Sequence, residues 1–475
     1  MEDVGEDFET SNQQLNDSTS DSVGDQPADH FDFGGEECYN PNKTIQSSRA
    51  VVLEHTIQIP DSEIDISEWS PLKVPAPMFK VDKGAYVPMI VSIGPFHHNE
   101  PSLQAMQTQK RRFLNRLVQN RTGQFIHEES LKNTMKELEE KTRKFYADDF
   151  QTIEPDEFVQ MMLLDGVFIV ELLRFFEKDS EGEPLFKTRW MQTNISRDLL
   201  LLENQLPMFV LQKIFELTTL TEEPTLNTLA LKFFEPLRLG KDKFEEKMLK
   251  KHANDEYIHL LALFHFTLIS GDKKYPQQQP AKSDLRLPGK GLVRNAKTLS
   301  YAGIKFKKNS CSILDIELTG KTFKIPTIVI NSYTSPVLRN LIAYEQNNRN
   351  TDPYFCCFAL FLDSIVDTAE DVKILCDAGI IKQAMGRNEE VVDLFNKLTK
   401  ELVFDINEEN CYMTKEIKKI NRHCRVHDIR VRIRRLLTRL NYNGSLTTCF
   451  SFLITVLLIY FKLSSNNPDA PPPSP

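Results

Sequence analysis

One segment, Glu157–Glu177, constrains the fold more than any other part of the sequence. Nearly all of its residues are apolar, so the helix that it predicts has no polar face to present to water. Asp165 interrupts the apolar run, which favours a helix buried in a protein core over a helix that crosses a membrane. The sequence therefore predicts a globular body built around a central helix.

Helical periodicity continues on both sides of this segment. In the predicted helix Glu129–Ala147, the spacing of Glu137 with Lys141 and of Glu140 with Lys144 predicts ion pairs along a solvent-facing surface. Pro207 is expected to kink or split the predicted helix Arg197–Leu217. The predicted helices are Leu103–Arg121, Glu129–Ala147, Arg197–Leu217, Asp255–Ile269, Pro336–Gln346, Tyr354–Asp367, Ala369–Cys376 and Glu389–Phe404.

A change of pattern after residue 311 indicates a minor sheet. Ser312–Leu318, a turn at Gly320 and Thr322–Ile325 predict a β-hairpin, to which Thr327–Asn331 adds a strand. The fold class is therefore mainly α (α+β), a helical globular body with a small β-hairpin or sheet. This body spans 51–404, and its polar segment 271–290 is expected to protrude as a linker-like insertion.

The net charge of -9 is concentrated at one end of the chain. The first 42 residues hold twelve of the 67 acidic residues and none of the 58 basic ones, so the remainder carries a balance of +3. A protein that binds nucleic acid usually has a strongly basic body, so we do not expect this chain to bind nucleic acid. The segment 1–50 has too few large apolar groups to offset its ordering entropy and is predicted to be a disordered acidic tail. Such a tail is either a solvated spacer or an arm that binds a partner.

The segment 441–461 carries no formal charge and is long enough to span a hydrocarbon layer of about 30 Å. We expect a C-terminal transmembrane helix here, followed by a short proline-rich tail at 462–475. A buried helix of a soluble body is the alternative, and self-association through Ser451–Tyr460 is a further possibility. The residues predicted to lie in the membrane are Leu446, Phe450, Phe452, Leu453, Ile454, Val456, Leu457, Leu458, Ile459 and Phe461.

A basic amphipathic helix is predicted at 405–440, directly before this span. Such a helix is expected to lie on an anionic leaflet, although capture by a calmodulin-type protein is an alternative. The positive-inside rule then places the body in the cytosol, as a single-pass protein of the plasma membrane or an endomembrane. The basic residues are Lys415, Lys418, Lys419, Arg422, Arg425, Arg430, Arg432, Arg434, Arg435 and Arg439.

No motif for phosphate, dinucleotide or zinc-protease chemistry occurs, and the eight cysteines lack the spacing of a disulfide scaffold or a CxxC site. We assign no catalytic, cofactor or metal residues. His97 with His98 can bind metal or play a structural role, as can the trio His423, Cys424 and His427.

Several buried carboxylates carry the same ambiguity between chemistry and structure. Asp198, Glu203 and Asn204 lie in a very apolar stretch, where carboxylates either are catalytic or pair with arginine and backbone groups. Asp165 and Glu171, near Arg174, allow the same two interpretations. The alternative to a binding protein is therefore a hydrolase or transferase with a site near His97, His98, Asp198 and Glu203.

Several separated blocks, in order over about residues 72 to 461, resemble the plant domain of unknown function 247. One departure is Leu440–Ser445, which stands where the family usually has an aromatic segment before its span. The resemblance implies a land plant protein with a C-terminal membrane anchor and no established enzymatic activity. The blocks are Tyr86–Pro88, Val91–His98, Met161 with Asp165–Leu172, Asp198–Pro207, Ala302–Phe306, Asn340–Gln346, and Gly379–Ile381 with Leu394–Asn396.

Some members of this family are linked to pollen recognition in grass self-incompatibility, and others to growth or defence. The resemblance brings no catalytic residues. Together with the acidic tail, the basic helix and the apolar C-terminus, it favours a membrane-anchored, non-enzymatic interaction or recognition protein whose protein partner is unknown.

Overall fold

The described part of the chain forms fifteen α-helices and five short strands. A computed structural model describes residues 72–120, 126–146, 150–178, 183–219, 222–240, 244–269, 292–309, 312–348, 351–384, 386–402 and 411–428, together with 432, 435, 453 and 455. The helices are α1 (Ala76–Val81), α2 (Ala105–Asn120), α3 (Glu128–Phe145), α4 (Pro155–Glu177), α5 (Arg189–Asp198), α6 (Met208–Thr218), α7 (Leu226–Phe234), α8 (Glu246–His252), α9 (Leu260–Ile269), α10 (Ala296–Tyr301), α11 (Thr334–Asn347), α12 (Tyr354–Ile365), α13 (Ala369–Asp377), α14 (Asn388–Thr399) and α15 (Thr414–Val426). The strands are β1 (Lys305–Asn309), β2 (Glu317–Thr319), β3 (Thr322–Pro326), β4 (Ile328–Ile330) and β5 (Ile381–Gln383).

Helix α4 is the central helix predicted from the sequence. Most of its length is buried, and it packs against α2, α3, α6 and α7. Pro155 begins the helix, where its missing N–H costs no hydrogen bond. At Gly166 a Cβ atom would lie 2.3 Å from Ile214 Cδ1, so glycine allows α6 to approach closely. The mainly helical fold with small sheets is therefore confirmed.

The sheets are confirmed in part. Strands β2 and β3 form the predicted antiparallel hairpin, and Gly320 in its turn has a φ of +61°. The predicted strand at Thr327–Asn331 exists as β4, but it pairs in parallel with β5 in a separate sheet. Strand β1, parallel to β3, was not predicted, because its lysines disfavour a strand.

The helix predicted at Arg197–Leu217 is split at Pro207, as expected, since α5 ends at Asp198 and α6 begins at Met208. In the intervening turn the Gln205 amide donates to the carbonyls of Leu199 and Leu201, both at 2.8 Å, and so replaces helical hydrogen bonds. The prediction of a helix from Asp255 was wrong at its start, because α9 begins only at Leu260.

Buried side chains also cap helices of the core. The Glu345 carboxylate, on α11, accepts hydrogen bonds from the N–H groups of Phe355 and Cys356, each at 2.8 Å, in the first turn of α12. It also lies 2.8 Å from His265 Nε2 on α9. A carboxylate at a helix N-terminus satisfies free amides and complements the helix dipole, so this contact joins three helices.

Several sequence predictions lie outside the described residues. They are the disordered tail 1–50, the insertion 271–290, the proline-rich tail 462–475 and the transmembrane helix 441–461, of which only Leu453 and Thr455 are described. Among the described residues, no helix has the length and apolarity needed to cross a membrane.

His259 provides a test of this core. Its Nδ1 accepts a hydrogen bond of 3.0 Å from the Ala262 N–H in the first turn of α9, and burial together with nearby His265 lowers its pKa to about 3. The unfolded chain therefore takes up a proton below pH 6.5 that the folded chain excludes. The free energy of unfolding decreases as the pH is lowered, by about 2 kcal/mol at pH 5 from this group alone.

We expect His259→Asn, which retains an acceptor without titrating, to remove about that much of the acid sensitivity between pH 7.5 and pH 5. Chemical denaturation at the two pH values measures it. Equal losses of stability in the variant and the parent would contradict the role of His259.

Candidate functional site

The polar residues singled out in the sequence meet around the backbone of Met89–Gly94. Val91, Ser92 and Ile93 are buried in this segment, yet it belongs to no strand. A buried amide without a partner is costly, so its N–H groups need acceptors from elsewhere. Side chains provide them.

Asp198 holds the first half of this segment. Its carboxylate accepts hydrogen bonds from the N–H groups of Met89 (3.0 Å), Ile90 (2.6 Å) and Val91 (3.1 Å), and it lies 2.7 Å from the Arg197 guanidinium. Burial raises the pKa of Asp198, while Arg197 and the three amides oppose that shift. Both oxygens are therefore occupied, which supports the structural interpretation of Asp198.

Asn204 binds the backbone of Val91 and Ile93 in the second half of this segment. Its Oδ1 accepts from the Ile93 N–H at 2.7 Å, and its Nδ2 donates to the carbonyls of Val91 (3.0 Å) and Asp198 (2.9 Å). One amide side chain thus connects the end of α5 with Met89–Gly94.

A buried ion pair completes the arrangement. Asp165 on α4 accepts from the Gly94 N–H at 2.9 Å and lies 2.5 Å from Nζ of Lys110 on α2. Lys110 also donates to the Ser92 carbonyl at 2.6 Å. Both charged side chains are enclosed, and each neutralises the other, as a buried charge requires. Sequence reasoning did not identify Lys110, because it lies on a basic, amphipathic helix where a solvated lysine is the ordinary expectation.

His97 and Glu203 are the other candidate residues that the structure brings together. Glu203 Oε1 accepts from the Val74 N–H at 2.8 Å, and its Oε2 lies 3.9 Å from His97 Nε2. Burial raises the pKa of Glu203 and lowers that of His97, so burial favours the uncharged form of each. His98 points elsewhere, with Nε2 at 3.4 Å from Glu157.

Of the four residues in the hydrolase or transferase hypothesis, His97 and Glu203 are therefore the two that lie close together, although 3.9 Å is longer than a hydrogen bond. Asp198 is enclosed by its own hydrogen bonds, and His98 contacts a different carboxylate. Glu171 is likewise engaged, at 2.8 Å from Arg174, which also binds Glu223 at 2.7 Å.

Helix α15 (Thr414–Val426) lies within the basic helix predicted at 405–440. Ile417, Ile420 and Cys424 are buried, and Glu416 joins α15 to β2 by accepting from the Leu318 N–H at 2.8 Å. The opposite side of the helix faces solvent and is cationic. We call its five exposed basic residues the basic face: Lys415, Lys418, Lys419, Arg422 and Arg425. Val426, at the end of the helix, is exposed as well.

Arg432 and Arg435 are also exposed, whereas Arg430, Arg434 and Arg439 lie outside the described residues. In the trio proposed from the sequence as a metal site, Cys424 is buried and His423 Nε2 lies 3.1 Å from the Ala302 carbonyl. No cluster of three or more histidine, cysteine or acidic residues suited to a metal ion occurs in the part of the chain that the structure describes.

The glycosylation sequon at Asn194 lies wholly within the described residues. Asn194 on α5 is buried, and its Nδ2 donates to the Trp190 carbonyl at 2.8 Å. The folded body therefore does not present this asparagine to a modifying enzyme.

Comparison with known proteins confirms the resemblance inferred from the sequence. Residues 72–461 match the model of DUF247, a plant protein of unknown function. The UPF0481 protein At3g47200 of Arabidopsis thaliana is 30% identical over 371 residues, covering 74% of this chain and 76% of the relative. The putative UPF0481 protein At3g02645 of the same plant is 22% identical over 500 residues, covering 87% of this chain and 91% of the relative. No solved structure gives a significant match.

Gly94 tests how tightly this polar arrangement is built. Its φ is +70°, and a Cβ atom would lie 2.7 Å from the Gln205 carbonyl oxygen and 2.9 Å from the Tyr146 hydroxyl. That hydroxyl donates to the same carbonyl at 2.8 Å. We expect Gly94→Ala to lower the free energy of unfolding by about 2–4 kcal/mol, from backbone strain and overpacking together.

Gly320→Ala is the matched control, because Gly320 has a φ of +61° but nothing within 4 Å of its Cβ position. It should cost only the strain of a left-handed residue, about 1 kcal/mol. Urea denaturation of both variants measures the difference. Equal losses would mean that the Gln205 and Tyr146 contacts do not constrain this position.

Proposed function

For a chain that belongs to the plant DUF247 family, whose function is unknown, we propose a membrane-tethered, non-enzymatic interaction protein. Its C-terminal segment would anchor it, and its basic face would lie on an anionic leaflet. The body would then be in the cytosol, presented to a protein partner. A role in recognition, including the pollen self-incompatibility linked to some family members, belongs to the same proposal.

The observation that carries this proposal is the orientation of α15. Because Ile417 and Ile420 are buried in the body, the basic face is directed outward as part of a folded surface. The chain then runs on, through the exposed Arg432 and Arg435, toward the uncharged segment 441–461. Lysine and arginine near a membrane surface each contribute about 1 kcal/mol of attraction to anionic lipid, so five of them support stable contact.

The non-enzymatic part of the proposal is supported by what the polar residues contact. Asp198 and Asn204 bind backbone amides, and Asp165 neutralises Lys110. The remaining hypothesis, a hydrolase or transferase, retains the pair of His97 and Glu203, whose pKa values are shifted in opposite directions. Substitution of His97 by Gln would abolish any such activity, but would leave partner and membrane binding unchanged under our proposal.

The anchor is tested by removing residues 441–475. We expect the full-length protein to sediment with membranes after carbonate extraction, and the truncated protein to appear in the soluble fraction, because the truncation removes the apolar segment. Unchanged retention of the truncated protein after carbonate extraction would contradict the anchor.

The basic face is tested separately, by vesicle flotation of the truncated chain. We expect the double variant Lys415→Glu/Arg422→Glu to bind vesicles containing phosphatidylserine at least about thirtyfold more weakly than the parent. The control Lys144→Glu/Lys250→Glu makes the same change of charge at exposed positions on α3 and α8. An equal loss of binding in both variants would show that net charge alone, and not the basic face, attracts the protein.

A further inference from the structure

A cleft lies between the end of α3, the start of α6, the start of α7 and the loop 253–258. Its volume is about 600 Å³, which is within the usual size of small-molecule sites. The polar arrangement around Met89–Gly94 and the basic face contribute no side chain to its lining. Its lining combines polar residues with an aromatic and apolar group formed by Phe145, Met208, Phe209, Phe215, Tyr257 and Ile258.

The loop that forms one wall of this cleft is fixed by hydrogen bonds. His252 Nδ1 lies 2.6 Å from the Tyr257 hydroxyl and 3.1 Å from Asp255 Oδ2. The Asn227 amide donates to the carbonyls of His252 and Asp255, each at 2.9 Å. The Ile258 carbonyl accepts from a backbone N–H at the start of α6. A wall held in this way is preorganised, so a ligand need not pay to order it.

The charges at the mouth are unequal. Asp255 and Glu256 are exposed there, and Glu256 has no hydrogen-bond or ion-pair partner among the residues that the structure describes. The cationic side chain in the lining is Lys141. The mouth therefore carries a net negative charge and attracts a cation more than an anion.

Lys141 shows where a cation is held. Its sequence spacing from Glu137 predicted an ion pair, yet its Nζ lies over the Phe209 ring, 4.1 Å from the centroid. The corresponding pair three residues later along α3 does form, with Lys144 Nζ at 2.6 Å from Glu140. The ring face of Phe209 thus accommodates an ammonium group beside the acidic mouth, as aromatic binding sites for amines do.

We propose that this cleft binds a small amphiphilic amine, that is, an apolar body carrying one cationic nitrogen. The apolar body packs against Met208 and Phe215. The nitrogen takes the position over Phe209 that Lys141 occupies in the free protein, with Glu256 beside the mouth. This site is independent of membrane attachment, and the failure of either proposal leaves the other intact.

The test uses three probes with the same apolar body, which are phenylbutylamine, phenylbutanol and phenylbutyrate. Binding to the full chain is followed through the methyl resonance of Met208, which lines the cleft and is assigned with Met208→Leu. We expect a saturable shift with the amine, affinity for the alcohol weaker by about tenfold, and still weaker binding of the acid. No saturable shift with the amine, or binding of the acid as tight as that of the amine, overturns the proposal.

Two variants locate the nitrogen. Lys141→Met removes the internal cation and should raise the affinity for the amine about fivefold, whereas Glu256→Gln should lower it about fivefold. The matched control Lys144→Met, an exposed position on the same helix, should leave the affinity unchanged. Weaker amine binding in Lys141→Met, or equal effects in Lys141→Met and Lys144→Met, overturns the assignment of the Phe209 ring.

Discussion

The fold depends on satisfying a buried stretch of backbone that has no strand beside it. The chain enters the interior at Val91 and stays buried to Gly94, and oxygens of Asp198, Asn204 and Asp165 accept from the amides of Val91, Ile93 and Gly94. An orphaned buried amide costs about 1–3 kcal/mol, so each acceptor excludes alternative arrangements of the chain. The turn between α5 and α6 is also bound to α11. Asn340 Oδ1 on α11 accepts from the Leu202 N–H at 2.8 Å, and its Nδ2 donates to the Ala85 carbonyl at 2.9 Å. Segments more than a hundred residues apart are thereby fixed together.

Residues that make these contacts occur in four of the blocks that carried the family resemblance. Their blocks include Val91–His98, Asp165–Leu172, Asp198–Pro207 and Asn340–Gln346. The physical reading of their carboxylates as partners of arginine or backbone groups was correct for Asp198. For Asp165 it was right in kind, although the cation is Lys110 rather than Arg174.

Sequence patterns predicted what depends on near neighbours and missed what depends on distant ones. The apolar run of α4 and the hairpin of β2 and β3 follow from local periodicity and a turn glycine. The pairing of β1 with β3 and the burial of Lys110 depend on partners that local spacing does not reveal. Lys141 is a further example. Local spacing predicted an ion pair with Glu137, but the Lys141 side chain instead contacts the ring of Phe209 on α6. The cleft beside it was invisible in the sequence, since four separate segments line it.

The structure changes how the basic helix is expected to meet a membrane. An isolated amphipathic helix would insert its apolar side into lipid, but in α15 Ile417 and Ile420 already pack in the body. Contact over Thr414–Val426 is therefore expected to be electrostatic and sensitive to salt. Its most direct test is fluorescence quenching of full-length protein in anionic nanodiscs by nitroxide-headgroup lipids. A bimane label on Cys introduced at Lys418 should be quenched, and one introduced at Lys144 should not. Equal quenching at the two positions, or none at position 418, would contradict the account.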